Sequence, residues 1–345
     1  METKKRIGVI FGGRSGEHEV SLLSAASVIR HLNKEKFEPV YLGITKEGKW
    51  KHFEGSVEDI ENGNWEAAAK DFNIGHLSDV IDFALPIMHG PYCEDGKIQG
   101  LFEMLDIPYG GCGVLASAAA MDKATAKDIF IQHSIPVTEH VFATKEDIEQ
   151  HPQTIMDAVE EEFGYPCFVK PVNLGSSVGI SKAVDRESLL TALNVAAGYD
   201  KRIIIEKGVD CRELEVGVIG NAYPEASAIG EILSESDFYD YSSKYTDGMA
   251  RLAIPADIPE ETAEYMKKVA LKAYKAIDGE GFARVDFFID RHNGEIYLNE
   301  INTIPGFTKY SMFPMLWEEA GVKYADQLER IIELGYERYN NKNKR

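Results

Sequence analysis

Two strand-like runs near the C-terminus hold the residues whose types and spacing point most directly to chemistry. Phe282 to Asp290 and Glu295 to Asn302 flank Asn293-Gly294, a dipeptide that favours a tight hairpin turn. The two-residue period of a strand puts Arg284 and Asp286 on one face of the first run, and Glu300 and Asn302 on one face of the second. An antiparallel register with Asp286 opposite Glu300 also sets Arg284 opposite Asn302, with directly paired side chains about 5 Å apart. A slip of one residue would send the two carboxylates to opposite faces. Facing carboxylates repel each other unless a cation lies between them. Hard oxygen donors in so small a set suit Mg²⁺ or Mn²⁺, which keep positions open for water and phosphate. A solvated sheet face balanced by Arg284 is the plainer alternative.

A second group suggests anion binding. Lys170 ends an apolar strand in step with Phe168, and Gly175-Ser176-Ser177-Val178-Gly179 follows. Small residues let backbone N–H groups approach a phosphate, and the two hydroxyls add donors. The same five residues would also serve as a plain turn. Glu206-Lys207 closes another apolar strand, with Glu213 shortly after; the group could read adenine and ribose or form a surface ion pair. Two better-known nucleotide motifs are excluded. Gly90 to Lys97 has the wrong residue count for a Walker A loop and Ile98 in place of its Ser/Thr. Gly12-Gly13-Arg14-Ser15-Gly16 lacks the dinucleotide-binding glycine spacing.

The elements that must position these groups fall into three segments. Residues 1–120 read as an α/β domain with an open, mainly parallel sheet: apolar strands at Arg6–Phe11, Phe37–Ile44 and within Val80–His89, and a helix at Ser21–Leu32. Its ligand-facing edge falls at the strand C-termini, near Gly12-Gly13 and His89-Gly90. Residues 121–208 and 209–345 read as two α+β domains. The first has helices from Met121 to about His133 and at Ile155–Phe163 and Glu187–Ala197. The second has strands at Leu214–Ile219 and Ala226–Leu233 and an amphipathic helix from Pro259 to Ile277. The aromatic stretch 234–250 has no periodicity and is expected to be a mobile lid loop. The terminal Asn-Asn-Lys-Asn-Lys-Arg is expected to fray.

Composition narrows the function classes. With 37 Lys+Arg against 57 Asp+Glu, the 345-residue chain carries a net charge of −20, which argues against nucleic acid as a partner. No run is long and apolar enough for a membrane span, and the N-terminal apolar run is too short for a signal peptide. A cytoplasmic protein without a membrane partner is expected. Cys93, Cys112, Cys167 and Cys211 form no C-x-x-C pair and read as buried small apolar groups.

These fragments, in this order over nearly the whole chain, resemble the D-alanine–D-alanine ligase family. They are Phe11-Gly-Gly-Arg-Ser-Gly-Glu-His-Glu-Val-Ser21, His89-Gly90 with Glu94-Asp95-Gly96 and Gln99-Gly100, and Met121-Asp122-Lys123. Lys170-Pro171 with Gly175–Gly179, Tyr239-Asp-Tyr-Ser-Ser-Lys-Tyr245 and Asn299-Glu-Ile-Asn-Thr-Ile-Pro-Gly306 complete the set. The resemblance implies an ATP-grasp fold and ATP-dependent joining of two D-alanines through an acyl phosphate, for peptidoglycan precursors. It implies Asp286, Glu300 and Asn302 as ligands of two Mg²⁺ or Mn²⁺ ions, and Lys123, Lys170 and Lys244 near the phosphates. Ser176 and Ser177 belong to the glycine loop over the nucleotide, and Glu206, Lys207 and Glu213 match adenosine contacts. Glu17 matches the carboxylate that receives the first D-alanine's ammonium, with His89 beside it. Ser176 and Tyr245 match the link from Glu17 to the lid. Arg284 matches the group on the oxyanion and the transferring phosphate. Ser311, beyond Gly306, matches the holder of the second substrate's carboxylate. A homodimer is usual for such proteins.

Cys93 and Lys97 depart from the family's usual Gly and Thr. Lys244-Tyr245 favours a dipeptide product over D-alanyl-D-lactate. Met312, where vancomycin-resistance ligases often carry Arg, favours D-alanine over D-serine as second substrate. A non-catalytic ATP-grasp-like binding protein and an ATP-dependent ligase of another carboxylate are the rivals.

Overall fold

The computed structural model describes residues 3–233 and 251–342. The expected lid loop 234–250, with Tyr239, Tyr241, Lys244 and Tyr245, lies outside the described residues, as do the last three of the chain.

The first sheet contains β1 (Lys5–Gly12), β2 (Phe37–Ile44), β3 (Trp50–Phe53), β4 (Lys70–Asp71) and β5 (Phe83–Pro86), in the order β4-β3-β2-β1-β5. Only β1 pairs in parallel, with β2 on one side and β5 on the other. The β2–β3 and β3–β4 pairs are antiparallel and short, so most of the paired residues lie in the parallel centre, as expected. The parallel centre is buried and reads as continuous apolar runs, whereas β3, four residues long, and the edge strand β4, two residues long, are too short to give a periodic sequence signal. The helix His18–His31 lies against β1, and Val28 and Ile29 join Ile7 and Val9 in one core.

A second sheet has β6 (His140–Thr144), β7 (Cys167–Pro171), β8 (Ser181–Ala183) and β9 (Arg202–Lys207), all antiparallel, in the order β6-β9-β7-β8. The helices Pro152–Glu162 and Arg186–Ala197 share its core, through Val159, Leu189 and Leu193.

The third sheet positions the hairpin. It contains β10 (Cys211–Ile219), β11 (Glu225–Leu233), β12 (Arg251–Ala253), β13 (Phe282–Asp290) and β14 (Ile296–Asn302), in the antiparallel order β12-β11-β10-β13-β14. Strand alternation sends Leu214, Val216 and Val218 of β10 and Ala283, Val285, Phe287 and Ile289 of β13 into one core with the helix Glu260–Ala276. The intervening residues, Glu215, Arg284 and Asp286 among them, face the other way.

The chain ends by returning to the first sheet. Leu328 and Ile331 of the helix Tyr324–Lys342 share a core with Ile7 and Phe83. This helix continues through the Asn-Asn-Lys stretch expected to fray. Arg338 donates to the Gly111 and Tyr109 carbonyls, and Lys342 pairs with Glu103.

Candidate active site

The expected hairpin register is observed: Asp286 pairs with Glu300, and Arg284 with Asn302. The register then shifts at Phe287, which pairs with Leu298, so Asn299 forms a bulge. The extra residue lets Leu298 and Ile301 both face the core while Glu300 and Asn302 face out. Across the other edge of β13, Glu215 pairs with Asp286. Glu215, Asp286 and Glu300 thus form one row of carboxylates over three strands. Sequence reasoning missed Glu215; the alternation Glu213-Leu-Glu-Val-Gly was the available signal.

Among the described residues, Arg284 and Lys123 answer this row. Arg284 donates from Nε and Nη2 to the two Asp286 oxygens, each at 2.7 Å, and its Nε lies 2.9 Å from Glu215 Oε2. Lys123 Nζ lies 3.5 Å from Glu300 Oε2 and donates to the Leu174 carbonyl at 2.8 Å. Asn302 Nδ2 donates to Asp286 Oδ2 at 2.8 Å. Burial would lower the Arg284 pKa, but Asp286 and Glu215 outweigh it and raise it. Among the described residues no three His, Cys, Asp or Glu side chains converge as a metal cage. The available donors are two facing carboxylates and one amide oxygen, a hard set that fits a divalent cation with open positions for phosphate and water.

The lysines belong to the facing elements. Asp122 caps the helix Lys123–Gln132 by accepting from Thr125 N at 2.8 Å, and Lys123 N donates to Val172 O at the end of β7. Lys170 Nζ donates to Glu206 Oε2 at 2.9 Å. Glu206 and Lys207 are neighbours on β9, so their side chains point to opposite faces. Glu206 is buried, whereas Lys207 is exposed and pairs with Glu139. The surface-pair alternative therefore describes Lys207 and not Glu206. Glu213 and Ser177 are half-buried, on β10 and in the glycine loop.

The opposite wall comes from the first sheet. Glu17 precedes the helix His18–His31, and the Ser176 hydroxyl donates to Glu17 Oε1 across 159 positions of sequence. Ser176 and Ser177 both have left-handed backbone, with φ of 50° and 58°, which turns the glycine loop toward Glu17. Gly90 brings the neighbouring loop as close: a Cβ there would stand 2.4 Å from Glu17 Oε2. His89 is buried, with Nδ1 3.1 Å from Ile304 O and Nε2 2.9 Å from Ser24 Oγ. Burial depresses its pKa, with Glu17 opposing. Glu94, which the sequence offers as part of the Glu94-Asp95-Gly96 fragment without a role of its own, accepts from Gly90 N at 3.1 Å. Burial, with Glu17 nearby, pushes its carboxyl up to about 8.

A cavity of about 400 Å³ joins these walls, lined by Glu17, His89, Lys123, Ser176, Arg284 and Glu300 among others. Gly306, Ser311 and Met312 border it further along. Ser311 sits just before the helix Met312–Glu319, with its hydroxyl accepting from Thr308 N at 3.0 Å. Acidic and basic side chains thus meet between two antiparallel sheets, over an α/β unit whose sheet has a parallel centre. That is the ATP-grasp architecture.

The chain belongs to the D-alanine–D-alanine ligase family. The family described as "D-ala D-ala ligase N-terminus" matches residues 6–112, and "D-ala D-ala ligase C-terminus" matches residues 129–333. A D-alanine–D-alanine ligase of Acetivibrio thermocellus is 45% identical, covering 99% of this chain and 98% of that one. One from a Thermoanaerobacter species is 49% identical, covering 98% of each. Among solved structures, the VanG D-Ala:D-Ser ligase of Enterococcus faecalis superposes with a TM-score of 0.87. It is 34% identical and covers 96% of this chain and 100% of that one. The D-alanine–D-alanine ligase of Coxiella burnetii gives a TM-score of 0.84 at 30% identity, over 99% of this chain and 96% of that one.

Proposed function

We infer that this protein is an ATP-dependent ligase that joins two D-alanines. The observation that carries the reading is the Glu215–Asp286–Glu300 row, answered by Arg284 and Lys123, facing a Glu17 bonded to Ser176 across one cavity.

A carboxylate is a poor electrophile, so ATP must first convert one D-alanine to an acyl phosphate; the amine of the second then displaces phosphate. We assign Lys123 and Lys170 to the nucleotide phosphates, where their charge offsets repulsion between substrate carboxylate and phosphoryl group. Arg284 presents a planar fork of donors and stabilises charge that grows on the attacked carbonyl and on the transferring phosphate. Asp286, Glu300 and Asn302 would hold the divalent cation, Mg²⁺ or Mn²⁺, which when bound neutralises phosphate charge. Whereas the Lys207 side chain lies on the opposite face of β9, paired with Glu139, Glu206 and Glu213 are assigned to adenosine. Ser177 supports the glycine loop above it.

Glu17 receives the first D-alanine's ammonium, beside the buried His89. Ser176 ties Glu17 to the glycine loop, so that filling the first subsite also draws that loop over the nucleotide. Lys244 and Tyr245 of the expected lid would complete the cover and exclude water from the acyl phosphate. Gly306 and Ser311 form the second subsite, with the Ser311 hydroxyl on the incoming carboxylate. Met312 brings no cation to that subsite, which favours D-alanine over D-serine. A homodimer in the cytoplasm, serving peptidoglycan synthesis, completes the proposal. Among the described residues no helix is long and apolar enough to cross a membrane.

Phosphate release in the presence of ATP, Mg²⁺ and D-alanine tests the reading, with D-serine and D-lactate as parallel arms. Release with D-alanine and formation of the dipeptide is expected. No release with any of the three would reject ligase activity, and preference for another acceptor would reject the second-subsite assignment.

A further inference from the structure

The helix Lys123–Gln132 carries Lys123 and Lys127 one turn apart, and the two side chains have opposite fates. Lys123 reaches the cavity. Lys127 is 1% exposed, with its ammonium 3.1 Å from Thr138 Oγ1 and 3.5 Å from Glu206 Oε1. The other Glu206 oxygen accepts from Lys170 at 2.9 Å. One buried carboxylate therefore lies between two ammonium groups, one on each oxygen.

A buried lysine needs a reason, since desolvating its charge is unfavourable and lysine is almost never fully buried without a partner. Pairing Glu206 does not supply that reason, because Lys170 already pairs it. The difference between the lysines is access: the Lys170 side chain retains 11% exposure and Lys127 only 1%. Lys170 is the one able to leave.

We propose that Lys127 is a positioning residue, which keeps Glu206 paired and in place while Lys170 is drawn to a nucleotide phosphate. This rests on the assignment of Lys170 to phosphate made above. With Lys127 present, the departure of Lys170 leaves Glu206 one ammonium and one hydroxyl neighbour. Without Lys127, the same movement would strand a buried carboxylate, and Glu206 would hold Lys170 back from the nucleotide. The electrostatics agree: burial would raise the Glu206 carboxyl, but Lys127, and then Lys170, hold it down at about 2.

The test is calorimetric binding of a non-hydrolysable ATP analogue with Mg²⁺, together with steady-state kinetics. Lys127→Met should weaken nucleotide binding roughly ten- to a hundredfold and raise KM for ATP in step. KM for D-alanine should be unchanged, and Lys127→Arg should restore most of the loss. In a Glu206→Gln background there is no charge to strand, so adding Lys127→Met should have little further effect. An equal loss in both backgrounds, or unchanged affinity in Lys127→Met, would overturn the proposal. If Lys127→Met fails to fold, Lys127→Gln makes the same comparison. Lys170→Met separates the two claims. If it leaves affinity unchanged, the phosphate assignment fails and the role of Lys127 fails with it. If it weakens binding and Lys127→Met does not, only the role of Lys127 fails.

Discussion

Replacing Arg284 with Ala should damage stability and turnover by separable routes. Its guanidinium makes two 2.7 Å hydrogen bonds to Asp286 and lies 2.9 Å from Glu215. Those carboxylates are only 9% and 6% exposed and are directly paired across β10 and β13. Truncation would leave two facing, buried negative charges, and breaking a buried pair in this way costs about 3–5 kcal/mol. Loss of a donor aimed at developing charge should separately reduce kcat roughly 100- to 1000-fold. Urea unfolding measures the first effect, and phosphate release per folded enzyme measures the second. Arg284→Lys keeps the charge but not the fork, so it should recover more stability than turnover. Near-parental kcat in Arg284→Ala would remove the residue from the mechanism. A stability loss without a kinetic one would make it purely structural.

Other consequences follow from single contacts. Ser176→Ala removes the hydroxyl on Glu17 and should lower kcat more than it raises KM for ATP; the reverse pattern would contradict the loop linkage. Glu94, at about 8, lies above its ordinary 4.5, so its stabilising contribution is complete below about pH 4.5 and is lost as pH rises through 8. Glu94→Gln keeps an acceptor for Gly90 N and cannot ionise, so it should raise Tm relative to the parent at pH 8–9 and little at pH 5. A Tm difference that is constant with pH would refute this. A Cβ at Gly306 would stand 2.7 Å from Ser311 Oγ, so Gly306→Ala should displace that hydroxyl and raise the second D-alanine's KM with little change in KM for ATP. Unchanged acceptor kinetics would place the second subsite elsewhere.

The hairpin was legible because its turn, alternation and register are all local. Asn293-Gly294 marks the reversal, and one pairing fixes which carboxylates meet. The bulge at Asn299 was not legible, since nothing in the run distinguishes an extra residue from an ordinary strand position. β3 and β4 escaped notice because runs of four and two residues are too short to show the apolar periodicity of β1 and β2. Glu215 and Lys127, and the role of Glu94, escaped for a different reason. Each is a single polar residue whose meaning depends on a distant partner: Arg284 for Glu215, Glu17 for Glu94 and Glu206 for Lys127. Sequence spacing puts Lys123 and Lys127 on one helix face but cannot show that Lys127 is buried against Glu206 while Lys123 reaches the cavity.

The facing carboxylates of β13 and β14 are assigned to a divalent cation held together with ATP. Mn²⁺ binding, followed by electron paramagnetic resonance with a non-hydrolysable ATP analogue, tests this assignment most directly. Nucleotide-dependent Mn²⁺ uptake should be strong in the parent and markedly weaker in Asp286→Asn and Glu300→Gln that remain folded. Parental Mn²⁺ uptake in both variants would contradict the assignment.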